Sequence, residues 1–400
     1  MSLTVHNPDQ YMASLRQIIA QGRKRLGLLV GAGAPAGILV ADHPLIPAVD
    51  GLTEMVLKTL AADYGKTLDA VRGEIETPNI EGILSRVRSL AGVIGKTTVH
   101  GLDGAGHKKL SEAICTKIGK VVNRPLPEGP SPYMEFVTWI SGTDREHPIE
   151  IFTTNYDLLF EQAHERAKVP CFDGFSGVSA PFFDPSSVAS NDLPPRWTRL
   201  WKLHGSLGWT RNDLGEIIRT GQPDATQLVF PEHLKYDQTQ KAPYIALFDR
   251  LRAFLMTPDT LLIATGFSFA DAHISARIGE CLATNPSASV FAFQFKPLDQ
   301  ETNACAIAGR RANMSLYSPD KAMINGVAAP WLPGDPPTRD WGPIRAGYWG
   351  TDGAGGPAQF LLGRFDLLAR FFASSRSAQS FPVPPAEPEP EAKTKKETSL

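Results

Sequence analysis

The sequence predicts an α/β fold: a doubly wound parallel sheet with a large helical insertion and a small irregular lobe. Two observations carry this. Continuous apolar runs of strand length recur at 26–30, 149–153, 200–203, 260–264 and 289–293, as in strands buried on both faces. Helical patterns separate several of them, and strands alternating with helices are the signature of a parallel sheet.

The elements follow in chain order. Tyr11–Gly22 reads as a short helix with Leu15, Ile18 and Ile19 on one side. The run Leu26-Gly27-Leu28-Leu29-Val30 reads as a buried strand that stops at Gly31-Ala32-Gly33. A strand followed by a glycine turn opens the nucleotide crevice of an open α/β sheet. Residues 52–145 read as mainly helical, with Leu52, Val56 and Leu60, then Ile80, Leu84 and Val87, at helical spacing. This is too long for one crossover helix and predicts an inserted helical module. Asn155–Ala167 and Tyr244–Met256 read as helices, the second with Tyr244, Phe248, Leu251 and Leu255 on one face. The irregular stretches Pro170–Pro195 and Thr210–Tyr236 supply the small lobe. Residues 331–357 are rich in Pro, Gly, Asp and Trp, and Phe360–Phe372 predicts a last amphipathic helix. The tail 374–400, with PVPPAEPEPEAKTKKE, has nothing to bury and is expected to be disordered. The chain thus divides into a main domain (1–330), an extension (331–373) and the tail.

Composition bounds the function. At 42% hydrophobic and 20% charged residues, the chain can bury a sizeable core. A formal net charge of -2 gives no whole-protein footprint for nucleic acid, so direct sequence-specific binding is not expected. Cys115, Cys171, Cys281 and Cys305 form no CxxC pair. Structural zinc needs closely spaced thiolates, so neither zinc nor a disulfide framework is expected. The N-terminus lacks the pattern of a signal peptide, and no apolar run approaches the ~20 residues of a membrane span. A cytoplasmic location is the expectation.

Four loops carry the candidate chemistry, each following a predicted strand. At Gly31-Ala32-Gly33, glycines let backbone approach a pyrophosphate with N–H groups left to donate; a plain tight turn is the other reading. The third glycine of GxGxxG is missing, because position 36 is Ala. Thr153-Thr154-Asn155-Tyr156-Asp157 offers an amide and a carboxylate at a strand end, or equally a helix cap. Lys202-Leu203-His204-Gly205-Ser206 places an imidazole at a turn, where it either titrates toward a crevice or serves the core. Thr265-Gly266-Phe267-Ser268-Phe269-Ala270-Asp271 offers a hydroxyl for phosphate or ribose; Ser268 or Asp271 capping a helix is the alternative.

In their joint order, GAG at 31–33, TTNYD at 153–157, LHG at 203–205 and GFSF at 266–269 resemble the sirtuin superfamily over about 26–320. The resemblance implies a Rossmann-like domain that takes NAD as substrate. Gly31, Ala32 and Gly33 would then contact the pyrophosphate, with Thr153 and Thr154 beside them. Asn155 would orient an attacking water, Asp157 would read the carboxamide, His204 would act as general base, and Gly266 and Ser268 would hold the adenosine side. The chain departs from the deacylases in lacking two CxxC pairs and the Gly-Ile-Pro-Asp-Phe-Arg segment, of which Leu45-Ile46-Pro47 and Asp50 are a faint echo. Pro35 stands where a serine is usual, and Gln294 or Lys296 replaces an expected Asn. This pattern resembles the zinc-less bacterial branch that depletes NAD in anti-phage defence. It implies an NAD glycohydrolase, a homo-oligomer and a HerA-type ATPase partner. A protein deacylase or ADP-ribosyltransferase, and a non-catalytic NAD- or ADP-ribose-binding scaffold, are the alternatives.

Overall fold

The computed structural model describes residues 4–221, 243–351 and 356–375. Nine strands build the main sheet: β1 (Arg25–Val30), β2 (Glu150–Thr153), β3 (Cys171–Phe172), β4 (Thr198–Lys202), β5 (Thr260–Thr265), β6 (Ser289–Phe293), β7 (Met314–Tyr317), β8 (Lys321–Ile324) and β9 (Val327–Pro330). Their order is β9-β8-β7-β6-β5-β1-β2-β4-β3. Seven strands are parallel, and β8 and β9 add an antiparallel edge. The fold is the α/β class expected.

Register decides where the loops meet. Val30 pairs with Thr153 and Thr265, and Thr153 pairs with Lys202. Strands β5, β1, β2 and β4 therefore end level, and the four candidate loops leave from one edge. The chain runs to opposite sides of β1 through β2 and β5, which makes this edge the topological switch point where α/β sheets take their ligands.

Burial on both faces explains the continuous apolar runs. Leu26, Leu28, Val30, Ile151, Leu200, Leu261 and Ile263 face one core, and Leu29, Phe152, Trp201, Leu262, Ala264 and Val290 the other. The first core is shared with α1 (Pro8–Ala20) and with the insertion helices α2 (Val49–Gly73), α3 (Ile80–Val93), α4 (Gly104–Val122) and α5 (Pro132–Ser141). The second is covered by α7 (Tyr244–Met256) and α8 (Ala272–Thr284).

Several boundaries differ from expectation for physical reasons. The helix after β2, α6, runs over Leu159–Ala167 and not from Asn155, because residues 155–158 form the loop at the sheet edge. Strands β8 and β9 lie at the sheet's margin: β8 buries only Ala322 and Ile324, on alternate residues, and β9 buries only Ala329 and leaves Val327 and Ala328 exposed. The small lobe is more regular than expected. Phe175–Ser176, Phe182–Phe183, Trp209–Arg211 and Ile217–Arg219 form a four-stranded sheet. Residues 222–236 of the second irregular stretch, and 376–400 of the tail, lie outside the described residues.

The extension closes back on the main domain. The last helix, α9 (Phe365–Ser374), packs on α5 through Phe365 against Phe136 at 5.1 Å and Phe372 against Trp139 at 4.8 Å. Asp9 of α1, 1% exposed, accepts from Arg345 Nε (2.7 Å), Trp341 Nε1 (3.2 Å) and the Tyr348 hydroxyl (2.5 Å). A buried carboxylate is tolerated only with such partners. Asp9→Ala is expected to lower stability by about 2 kcal/mol, toward the small end for a buried pair because Arg345 keeps solvent contact. Urea unfolding at neutral pH measures it.

Candidate active site

Two loops lock the centre of the sheet edge. Gly31 N–H donates to Thr265 O (3.1 Å) and Gly33 N–H to Gly266 O (2.9 Å). Gly266 has φ +62°, a left-handed conformation that side chains disfavour. A Cβ on Gly33 would lie 2.9 Å from Gly266 Cα, and one on Gly31 would lie 2.8 Å from Phe267 Cα. The glycines thus serve the approach of two backbones to each other. The expectation that Gly31 and Gly33 leave their N–H groups free is corrected: both donate within the protein. Gly33 remains exposed at the mouth of the turn, with Ala32 half-buried.

Asn155 sits against this lock. Its Nδ2 donates to Gly31 O at 3.1 Å, and its backbone N–H donates to Thr153 Oγ1, which itself donates to Val30 O at 2.8 Å. Thr153 therefore orients the asparagine loop, and Thr154 N–H continues the ladder to Val30 O at 3.3 Å. Asn155 Oδ1 is buried with no partner among the described residues. A buried amide oxygen without a donor costs about 1–3 kcal/mol, and groups left in that state call for a ligand or water.

His204 lies on the next loop. Thr153 and Lys202 pair across β2 and β4, and Leu203 N–H donates to Thr153 O at 2.8 Å. Asn155 and His204 thus each stand two residues past paired positions, on strands ~4.8 Å apart. The His204 side chain is 6% exposed, with Nε2 3.0 Å from Asp271 Oδ2. Its Nδ1 has no partner among the described residues. The loops that carry the candidate amide and imidazole therefore leave from adjacent strands.

Asp157 takes a different place. It is 4% exposed, and its Oδ1 accepts from Leu159 N–H at 3.1 Å, at the start of α6. Burial raises its carboxyl above the usual range, against the opposing charge of Lys202. Lys202, 2% exposed, donates to Asp157 O and pairs with Glu161 at 3.2 Å. Burial likewise raises Glu161. Lys202 is thus the counter-ion beneath the Asn155 loop, a role that its place in an apolar strand run does not signal.

The loop after β5 brings Gly266 and Ser268 to the same edge, but Ser268 is exposed and, among the described residues, accepts only from Ala270 N–H at 3.4 Å. Asp271 caps α8 through His273 N–H (2.9 Å) and Ile274 N–H (3.0 Å) while its other oxygen meets His204. Burial works to raise this carboxyl, but His204 and the two N–H groups overcome it and hold it down to about 2. Its folded value lies below its ordinary one, so its contribution to stability is complete above that ordinary value and is lost as pH falls toward 2. Gln294, after β6, is 3% exposed and gives its amide to Phe267 O at 3.3 Å.

Tyr156 ties the insertion to the site, its hydroxyl lying 3.4 Å from Glu81 of α3. At the opposite end of the sheet, Glu150 accepts from Trp201 Nε1 and Arg250 Nε, each at 2.7 Å; this pins α7 far from the loops. Cys115, Cys171, Cys281 and Cys305 are all free thiols. Among the described residues, no group of three or more His, Cys, Asp or Glu is placed to hold a metal, and no helix is long and apolar enough to cross a membrane.

Comparison with known proteins agrees with part of this picture. Residues 149–313 match the family model described as SIR2-like domain. The match starts at β2 and takes in Asn155, His204, Gly266 and Asp271, but not the Gly31–Gly33 turn. No curated protein matches the sequence. The solved structure described as "Structural Basis for the Mechanism and Regulation of Sir2 Enzymes" aligns at 11% identity over 73% of this chain and 89% of that one, with a TM-score of 0.33. The stretch from β2 to the start of β7, which contributes three of the four site loops, is thus similar to the SIR2-like domain.

Proposed function

We propose that this protein hydrolyses NAD at the nicotinamide–ribose bond, giving nicotinamide and ADP-ribose. The observation that carries the reading is the unpaired Asn155 Oδ1 one strand from His204, at the edge where an α/β sheet takes its ligand. An acceptor lacking a donor fits a water or a ribose hydroxyl, and an imidazole whose Nδ1 has no partner among the described residues fits the base that receives a proton.

The chemistry needs little more. The bond from ribose C1′ to the pyridinium nitrogen breaks, its electrons neutralise the ring, and nicotinamide leaves uncharged. Water forms the new C–O bond at C1′ and releases one proton, by way of His204, to solvent. Asn155 holds the water or the ribose, and holding reactants in place accounts for much of such a rate. A positioned base adds roughly 10²–10⁴-fold. Lys202, Glu161 and Asp157 form the buried support under the asparagine.

Incubating the full-length protein with NAD and separating the products chromatographically tests this. Nicotinamide and ADP-ribose in equal amounts, without any added peptide, support hydrolysis. Nicotinamide released only with an acylated peptide supports the deacylase reading, and NAD bound but unconverted supports the scaffold. We further propose, from the sequence resemblance, a role as an NAD-depleting effector in anti-phage defence, acting as an oligomer gated by a HerA-type ATPase. A monomeric mass in solution at micromolar concentration would count against the oligomer.

A further inference from the structure

Asp271 and His204 come from loops that are not neighbours. Strands β1 and β2 lie between β5 and β4, so the contact spans three strand spacings, about 14 Å. The segment 266–271 must therefore run along the sheet edge past the Gly31 and Asn155 loops. It is anchored on the way: Phe269 adopts φ +58°, is buried, and packs on Phe267 at 5.0 Å, while its carbonyl accepts from Ser275 Oγ at 2.8 Å. A non-glycine residue in that conformation is strained and persists only where packing enforces it. Asp271 Oδ1 is fixed by two backbone N–H groups of α8, which leaves Oδ2 for the imidazole.

We propose that Asp271 is the positioning residue for His204, holding the imidazole at Nε2 so that Nδ1 is the nitrogen turned toward the substrate. This rests on the reading of His204 as the base. A fixed carboxylate on one ring nitrogen sets both the orientation and the tautomer of the other, and it stabilises the imidazolium formed when the base takes its proton. Oδ2 has no aligned hydrogen-bond donor among the described residues, and His204 Nε2, at 3.0 Å, is the charged partner it faces. In substrate-free sites such contacts are commonly off-line and tighten on binding.

The substitution Asp271→Asn isolates the charge. Asparagine caps helices as well as aspartate does, so α8 keeps its start. Selective ¹⁵N-histidine NMR at neutral pH, with the His204 signal assigned by its loss in His204→Gln, reads the tautomer. Wild type is expected to carry its proton on Nε2, and Asp271→Asn to lose that preference. In steady state, Asp271→Asn is expected to lower kcat about 10²-fold or more while KM for NAD changes little, with part of the rate restored in Asp271→Glu. A wild-type His204 protonated on Nδ1, or a variant with unchanged tautomer and unchanged kcat, overturns the proposal. Should wild type release no nicotinamide at all, the hydrolase reading fails by itself, while the tautomer still decides what Asp271 does.

Discussion

His204→Ala is expected to slow nicotinamide release from NAD by roughly 10²–10⁴-fold, the range contributed by a positioned general base. The loss should fall on kcat, with KM little moved, because the proton is taken in the transition state and not in the ground-state complex. Asn155→Ala should cost a similar factor for another reason: it removes the amide that orients the attacked group, while Gly31 O loses one donor. The double variant should be far less than additive, since water positioning and proton removal serve one step. His204→Ala also leaves the buried Asp271 carboxylate with its two capping N–H groups alone. Measured rates should therefore be accompanied by circular dichroism and a urea midpoint, to show folded protein. A folded His204→Ala variant that releases nicotinamide at the wild-type rate would remove the imidazole from the mechanism.

Gly266→Ala is expected to have the largest effect on the fold, at about 3 kcal/mol of lost stability. Two costs add: a left-handed backbone for a residue with a Cβ, and overpacking in a contact with no slack. The new methyl would meet the backbone of Gly33 and Ala34, 2.9 Å from Gly33 C, and neither can rotate away. The lock between the β1 and β5 loops would have to open, displacing Gly31 O from Asn155. Activity should fall together with the urea midpoint. Ala substituted at Gly65, where the added methyl meets nothing within 4 Å, is the matched control and should leave both unchanged or slightly improved.

The parts of the fold that were legible in the sequence were those with one dominant cause. Buried parallel strands must be apolar on both faces, so β1, β2, β4, β5 and β6 stood out as runs. Of the insertion helices, α2 and α3 stood out by spacing, as did α7. The edge strands β8 and β9 did not, because four residues with one or two of them buried are easily mistaken for loop. The start of α6 was placed too early because Asn155 and Asp157 are good capping residues in either reading; the helix begins at Leu159, whose N–H bonds Asp157 from one residue before the N-cap Leu158.

The site was legible as a set of loops and not as a set of roles. Strand order and register place Gly31, Asn155, His204 and Gly266 on one edge, which their positions after predicted strands implied. The sequence could not show that Gly31 and Gly33 give their N–H groups to the β5 loop, since a glycine needed for ligand approach and one needed for backbone approach read alike. Nor could it pair His204 with Asp271, 67 positions apart, since Asp271 read as a plain helix cap. It is a cap, and only one of its two oxygens is used for that.

A crystal structure of the full-length protein with ADP-ribose bound tests the account most directly. The account predicts the ribose that bore nicotinamide at the ends of β2 and β4, with an oxygen at Asn155 and a hydroxyl or water at His204 Nδ1. A ribose bound away from that edge, or an Asn155 and His204 still covered and touching no part of the ligand, would contradict it.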